Sequence, residues 1–218
     1  MADPVKGKTE AGRRREERAR QTRHRIVDAG MRLFIERGYS ATTVEAIARE
    51  AGVAAATIYQ AFGTKHAILA RALDVTIAGD DAPLALLEEE WVDGVTGAAD
   101  PVRRLEAVVR HAAGVAIRTA PIKEVMRDAA ATEPAVRDLI SQDHQRRRRT
   151  QRALVDLVAG DGRGPRTVLD REAAAATFFA LVNSHSYLVL HEELGWDAAE
   201  WTGWLLGVLQ RELLGRPG

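Results

Sequence analysis

Residues 42–65, T-T-V-E-A-I-A-R-E-A-G-V-A-A-A-T-I-Y-Q-A-F-G-T-K, decide how the chain is read. Val44, Ile47, Ala48 and Ala51 recur at i, i+3, i+4 and i+7, which puts them on one side of a helix. Thr42, with Glu45 three residues on, has the form of a capping box, in which hydroxyl and carboxylate satisfy free amides of the first turn. Gly52 stands where helices commonly end in a left-handed residue, so the spacing predicts a helix that ends near Ala51. Beyond Val53, residues Ala54 to Ala61 make about two turns, with Ile58 and Phe62 inward and Thr57, Tyr59 and Gln60 outward. Short helix, sharp turn and short helix form the helix-turn-helix pattern, whose second helix can enter the major groove. Taken alone, the pattern also fits two core helices of a larger α domain.

More of the same region narrows the choice. Gly38-Tyr39, Thr42-Thr43-Val44, Ile47-Ala48, Ala51-Gly52-Val53, Thr57-Ile58-Tyr59, Phe62 and Lys65 together resemble the DNA-binding segment of the tetracycline-repressor (TetR) family of bacterial regulators, over about residues 22–73. The resemblance implies an all-α protein with three N-terminal DNA-binding helices and a larger helical effector-binding and dimerisation domain. A fourth helix, from Lys65 to about Ala78, would connect the two and act as the lever between them. It also implies a homodimer on a partly palindromic double-stranded operator.

Position by position, the resemblance points to Thr43, Ala55, Ala56, Thr57, Tyr59, Gln60, Thr64 and Lys65 as DNA-binding. Ala55 and Ala56 can offer only apolar contact to thymine methyls, whereas Gln60 can pair bidentately with adenine and is the expected base reader. Thr43, Thr57, Tyr59 and Lys65 are expected at phosphates, which set register on the duplex. Thr64 should cap the fourth helix, whose positive end at Lys65 favours an anion. Tyr39 is expected to pack against the second of the two helices. The sequence departs from the family where it has Ala54 in place of a common capping Ser, Ala56 in place of Gly and Ala61 in place of His. A missing capping hydroxyl typically costs about 1 kcal/mol.

The chain has 218 residues, 46% of them hydrophobic, with 31 basic and 31 acidic side chains and no Cys. That composition suits a soluble cytoplasmic protein without disulfide or thiolate chemistry, and residues 1–20 lack the apolar run of a signal peptide. Neutrality overall hides a basic front: residues 1–25 carry nine Lys or Arg against four Asp or Glu. Residues 1–20 are therefore expected to be a disordered basic arm, serving solubility or following phosphate and minor groove beside an operator. The expected organisation is this arm, a DNA-binding domain over 21–78 with a first helix near 22–37, and a ligand-binding and dimerisation domain over 79–218.

After a loop at Gly79-Asp80-Asp81-Ala82-Pro83 the pattern stays helical, without β-alternation. Capping residues and breakers place helices near 84–93, 101–118, 121–130, 134–159, 170–194 and 198–214. Residues 173–190 are uncharged and apolar nearly all round. Asn183-Ser184-His185-Ser186 at their centre argues against a membrane span, so burial within the domain and against a second subunit is expected. Phe179, Leu190, Trp201, Trp204, Leu205 and Val208 are the expected dimer contacts, by resemblance to the four-helix interface of the family.

Polar or aromatic groups inside apolar helices mark an effector site: Trp91, His111, Phe178, Asn183, His185 and Tyr187. Their surroundings suggest a small, largely apolar ligand. The Arg146–Arg149 run points all round a helix and reads as a solvated face. The glycines at 160, 162 and 164 lack the Gly-Lys-Ser/Thr of a phosphate loop, His191-Glu192-Glu193 does not continue as HExxH, and Ser184 has no GxSxG around it. No enzyme, metal site or cofactor is therefore expected. Against a small-molecule-released repressor stand two alternatives: an architectural DNA-binding protein, and a regulator governed by a protein partner.

Overall fold

The computed structural model describes residues 10–78, 90–98, 100–159 and 169–215, and among these the chain forms ten α-helices and no strand. It divides into two compact units, Met1–Ala72 and Leu73–Gly218, the division falling within α4 (Lys65–Ala78).

In the first unit, α1 (Glu10–Ala41) is interrupted by Gly38 at φ 75°, ψ 165°, a conformation that glycine tolerates best. Ile26, Ala29, Leu33 and Phe34 form its buried side. Two short helices follow, α2 (Val44–Ala51) and α3 (Ala55–Phe62), joined at Gly52, which is left-handed at φ 65° as the sequence predicts. Ile47, Ile58, Ile68 and Leu69 close a small core with α1. Helix α1 comes so near α4 that a Cβ on Gly30 would lie 2.7 Å from Ile68 Cγ2.

Two expectations change here. First, α1 starts at Glu10, so residues 10–20 extend the helix instead of forming a disordered arm; residues 1–9 lie outside the described ones. Ala, Arg and Glu are strong helix formers, and Glu10–Arg14 and Glu17–Arg20 pairs support the turn without any core. Second, the cap of α2 is Thr43, whose hydroxyl accepts from Ala46 N at 3.1 Å. Thr42 is fully buried and donates instead to Leu33 O and Gly38 O, tying α2 to the end of α1. Tyr39, at the end of α1, stacks on Phe34 with ring centroids 5.5 Å apart.

The second unit comprises α5 (Glu90–Gly97), α6 (Pro101–Ala129), α7 (Pro134–Ala159), α8 (Arg171–Leu181), α9 (Ser184–Leu194) and α10 (Ala198–Leu214). Asp100, Asp170 and Asp197 cap their helices as read, the last in a full capping box with Glu200. The core gathers Leu105, Val108, Val109, Phe178, Trp201, Leu205 and Leu209. The helix expected near 84–93 falls largely outside the described residues.

Helix α6 is continuous where two helices were expected. Pro121 faces solvent while Ala120, Ile122 and Val125 beside it are buried, and that packing holds the helix across the missing amide. Conversely, the single helix expected over 170–194 is broken at Val182–Asn183, where α8 and α9 bend by 44°. The Asn183 side chain accepts from Ser186 N at 2.9 Å and starts a new helix, competing with continuation of the old one. No single described helix is long and apolar enough to cross a membrane; only the bent α8–α9 pair passes such a test of length and composition together.

Candidate nucleic-acid interface and internal cavities

Helix α3 buries Ile58 and turns Ala56 and Gln60, one turn apart, to the opposite, exposed side. Tyr59 is 52% exposed, unusual for a large aromatic, and Thr43 and Thr64 are exposed at the starts of α2 and α4. Ala55 and Thr57 are half-buried. The N-cap Ala54 makes no side-chain cap bond, which leaves first-turn amides of α3 open to an acceptor from outside the chain. Thr64 caps α4 as expected, accepting from Ala67 N at 3.2 Å. An outward helix carrying one amide side chain, small neighbours and flanking hydroxyls can enter a groove and hydrogen-bond both base edges and phosphates.

Lys65 departs from the phosphate role. Its ammonium donates to Tyr39 O and Thr42 O, both at 2.9 Å, and lies 4.0 Å from the centre of the Tyr39 ring. Those carbonyls end the α1 region and precede α2, so Lys65 clamps the turn that places the helix-turn-helix. The side chain is half-buried, with two of its three N–H donors committed to these carbonyls.

Within the second unit, two cavities share a wall made by Lys123, Asp143 and Arg147. One, of about 80 Å³, is mostly apolar, with Ile77, Ala112, Val115, Leu154 and Val182 among its walls. His111 lines it, as does Gln151, which is 4% exposed. Gln151 Nε2 donates to Val182 O at 3.1 Å, while its buried Oε1 has no partner among the described residues. The second cavity, of about 250 Å³, is bounded by Arg127, His144, Asn183, Ser184 and His185.

Asp143 organises the shared wall: Lys123 Nζ is 3.0 Å from one carboxylate oxygen and Arg146 Nη2 3.1 Å from the other. Burial alone would raise its pKa, but the two cations outweigh that and hold it below the usual carboxylate range. The Lys123 pKa is lowered too, because burial dominates and Asp143 offsets only part of it, with Arg147 and Arg146 adding repulsion. The ionised carboxylate is the firm end of this pair, since two donors contact it. Burial and Arg147 likewise lower His144, and burial lowers Arg147.

The effector candidates are therefore not gathered in one place. His111 lines the first cavity; Asn183 and His185 line the second. Phe178 is fully buried in the core and lines neither, so it is withdrawn. Tyr187 packs edge-on to Trp201 at 5.3 Å and stacks on His191. The Trp91 side chain lies outside the described residues. Lys123, Asp143 and Gln151 were missed. Their signal was the i+4 and i+8 spacing of Asp143, Arg147 and Gln151, which extends the apolar line of Leu154 and Val158 back along α7.

The Arg run is also more than a solvated face. Arg146 bridges Asp143 and Asp74, and Arg147 lies 3.9 Å over the Phe179 ring. Among the expected dimer contacts, Trp201 and Leu205 are fully buried within the chain's own core and cannot meet a partner. They belong with Leu209 and Leu213 to the i, i+4 stripe of α10 that packs inward. Phe179, Leu190, Trp204 and Val208 are only half-buried. Among the described residues no cluster of His, Asp or Glu is placed to hold a metal ion.

These features define a helix-turn-helix DNA-binding protein. Residues 26–72 match the family described as "Bacterial regulatory proteins, tetR family". The match makes residues 26–72 a DNA-binding segment of the kind found in that family. The regulator HbdR of Aromatoleum sp. (strain CIB) is 40% identical over 85 residues, 39% of this chain, and the match spans only about a third (34%) of that relative's length. NalD of Pseudomonas aeruginosa, described as the secondary repressor of the MexAB-OprM multidrug efflux pump, superposes at TM-score 0.63 with 21% identity over 89% of this chain and 97% of its own. A transcriptional regulator of Saccharomonospora viridis in complex with choline gives 0.64 and 22%, over 88% and 96%. At such identities the two structures share the fold.

Proposed function

We infer that the chain is a cytoplasmic repressor, acting as a homodimer on a two-fold operator and released when a small molecule enters the second unit. The exposed side of α3, with Gln60 opposite the buried Ile58, carries this reading. Gln60 reads bases, Ala56 permits close approach, and Thr43, Thr57, Tyr59 and Thr64 hold phosphates. The half-buried Leu190, Trp204 and Val208 supply apolar area for a partner subunit.

Support for a ligand comes from the apolar cavity and from the unpartnered Gln151 Oε1 at its wall, an acceptor that a ligand hydroxyl or amine would satisfy. Ile77 of α4 lines the same cavity and Asp74 of α4 holds Arg146, so an occupant that moves either acts on α4 directly. Two titrations test the reading. Fluorescence anisotropy against the DNA upstream of the chain's own gene, with random duplex as competitor, should give tight binding that survives the competitor at two protomers per site. A small-molecule screen on that complex should then release it. Binding that competitor and salt both abolish would favour an architectural role.

A further inference from the structure

The apolar line of α1 stops at Ile26, yet the helix continues to Glu10. Followed toward the N-terminus, the side that buries Leu33, Ala29 and Ile26 carries Thr22, Ala19, Arg18, Arg15 and Ala11, at helical spacings of three, four and seven. All of these are exposed except Thr22, which is half-buried. Thus the side that packs on the helix-turn-helix farther along becomes a strip of small and basic residues with nothing beneath it among the described residues.

The acids lie elsewhere. Glu10 and Glu17 are on the opposite side, where they pair with Arg14 and Arg20, and Gln21 also binds Glu17; Glu16 stands at the strip's edge. Arg15, Arg18 and Arg25 make no ion pair among the described residues. Arg25 joins the strip to the DNA-binding turn, since its Nη1 would be 3.9 Å from a Cβ on Gly52.

We propose that this overhanging face of α1, through Arg15, Arg18 and Arg25, is a second duplex-binding surface that grips phosphates flanking the operator, with Ala11 and Ala19 letting the backbone come close. The proposal rests on the DNA-binding reading of α3 and adds an element to it. Charge complementarity and continuity with the helix-turn-helix select double-stranded DNA as the occupant. From Arg15 to Arg25 the helix rises about 15 Å, enough to follow roughly four base pairs beyond the core site. Such contacts add affinity and salt dependence without base preference.

The test is anisotropy of the full chain on its operator and on random duplex, over a salt series, comparing wild type with Arg15→Ala/Arg18→Ala. Arg13→Ala/Arg20→Ala removes the same charge from the opposite line of the helix and is the control. Loss of two phosphate contacts should weaken both duplexes alike, roughly tenfold at physiological salt, and make the log–log salt slope shallower by about 1.8. The control should stay near wild type. Trimming the flanks should weaken the wild type and leave the Arg15→Ala/Arg18→Ala variant unaffected. Equal slopes for the two double variants, or no dependence on flank length, would overturn the proposal while leaving α3 as the reader. A wild-type chain that fails to distinguish operator from random duplex would instead overturn the reading of α3.

Discussion

The two units treat their polar groups in opposite ways. In the first, Gln60, Tyr59, Thr43 and Thr64 face outward, and the buried Thr42 hydroxyl finds two carbonyls. In the second, Asp143, Gln151, Thr119, Ser184 and Arg104 are buried, three of them around cavities. An outward polar set costs little stability and is open to a large partner. An inward set must be paired or filled, because each unpaired buried group costs about 1–3 kcal/mol, and the proposed small ligand would do this for Gln151.

The sharpest way to break this contrast is Asp143→Ala. It leaves Lys123 and Arg146 without their shared carboxylate in the second unit and should lower unfolding free energy by about 3–5 kcal/mol in urea titration. No comparable loss should follow truncation of outward Gln60. The same carboxylate predicts a pH dependence. Its folded pKa is lowered, so its contribution is fully present above the ordinary carboxylate value near 4 and is lost as pH falls toward the depressed one. Asp143→Asn should remove that part of the acid limb of the stability profile.

Lys65→Met separates the clamp from the phosphate contact. Loss of two charge-assisted bonds to carbonyls should destabilise the chain by about 2–3 kcal/mol. Because those bonds are internal, the salt slope of DNA binding should hold at wild-type value in conditions where the variant is folded; a slope shallower by about 0.9 would restore the phosphate role. Gly30→Ala should cost about 1–2 kcal/mol, since the added methyl meets the stiff branch of Ile68. The smallest effect is a gain: Ala54→Ser should raise stability by about 1 kcal/mol by supplying the cap that α3 lacks. Thermal or urea unfolding checks each.

What the sequence makes legible follows the same division. The first unit is read from one contiguous stretch, because Gly52, the Val44–Ala51 stripe and Thr64 act within a few residues of themselves. Its errors are local: Thr42 and Thr43 are both able to cap, and only the partners at Leu33 and Gly38 decide between them. Residues 10–20 read as a disordered arm when charge is weighed above helix propensity. In the second unit the caps Asp100, Asp170 and Asp197 are local and were readable. The α8–α9 break was signalled by Asn183 but masked by the apolar run around it. The cavity walls were not legible, since Ile77, Lys123, Asp143, Gln151 and Val182 come together only through packing of three helices and the turn after α8.

Gln60, on the outward side of α3, is the proposed base reader. The direct measurement is the ratio of affinities for operator and random duplex, at fixed salt, for wild type and Gln60→Ala. The ratio should collapse by about 1–3 kcal/mol while random-duplex affinity and salt slope hold. An equal loss on both duplexes would contradict it and make Gln60 a backbone contact.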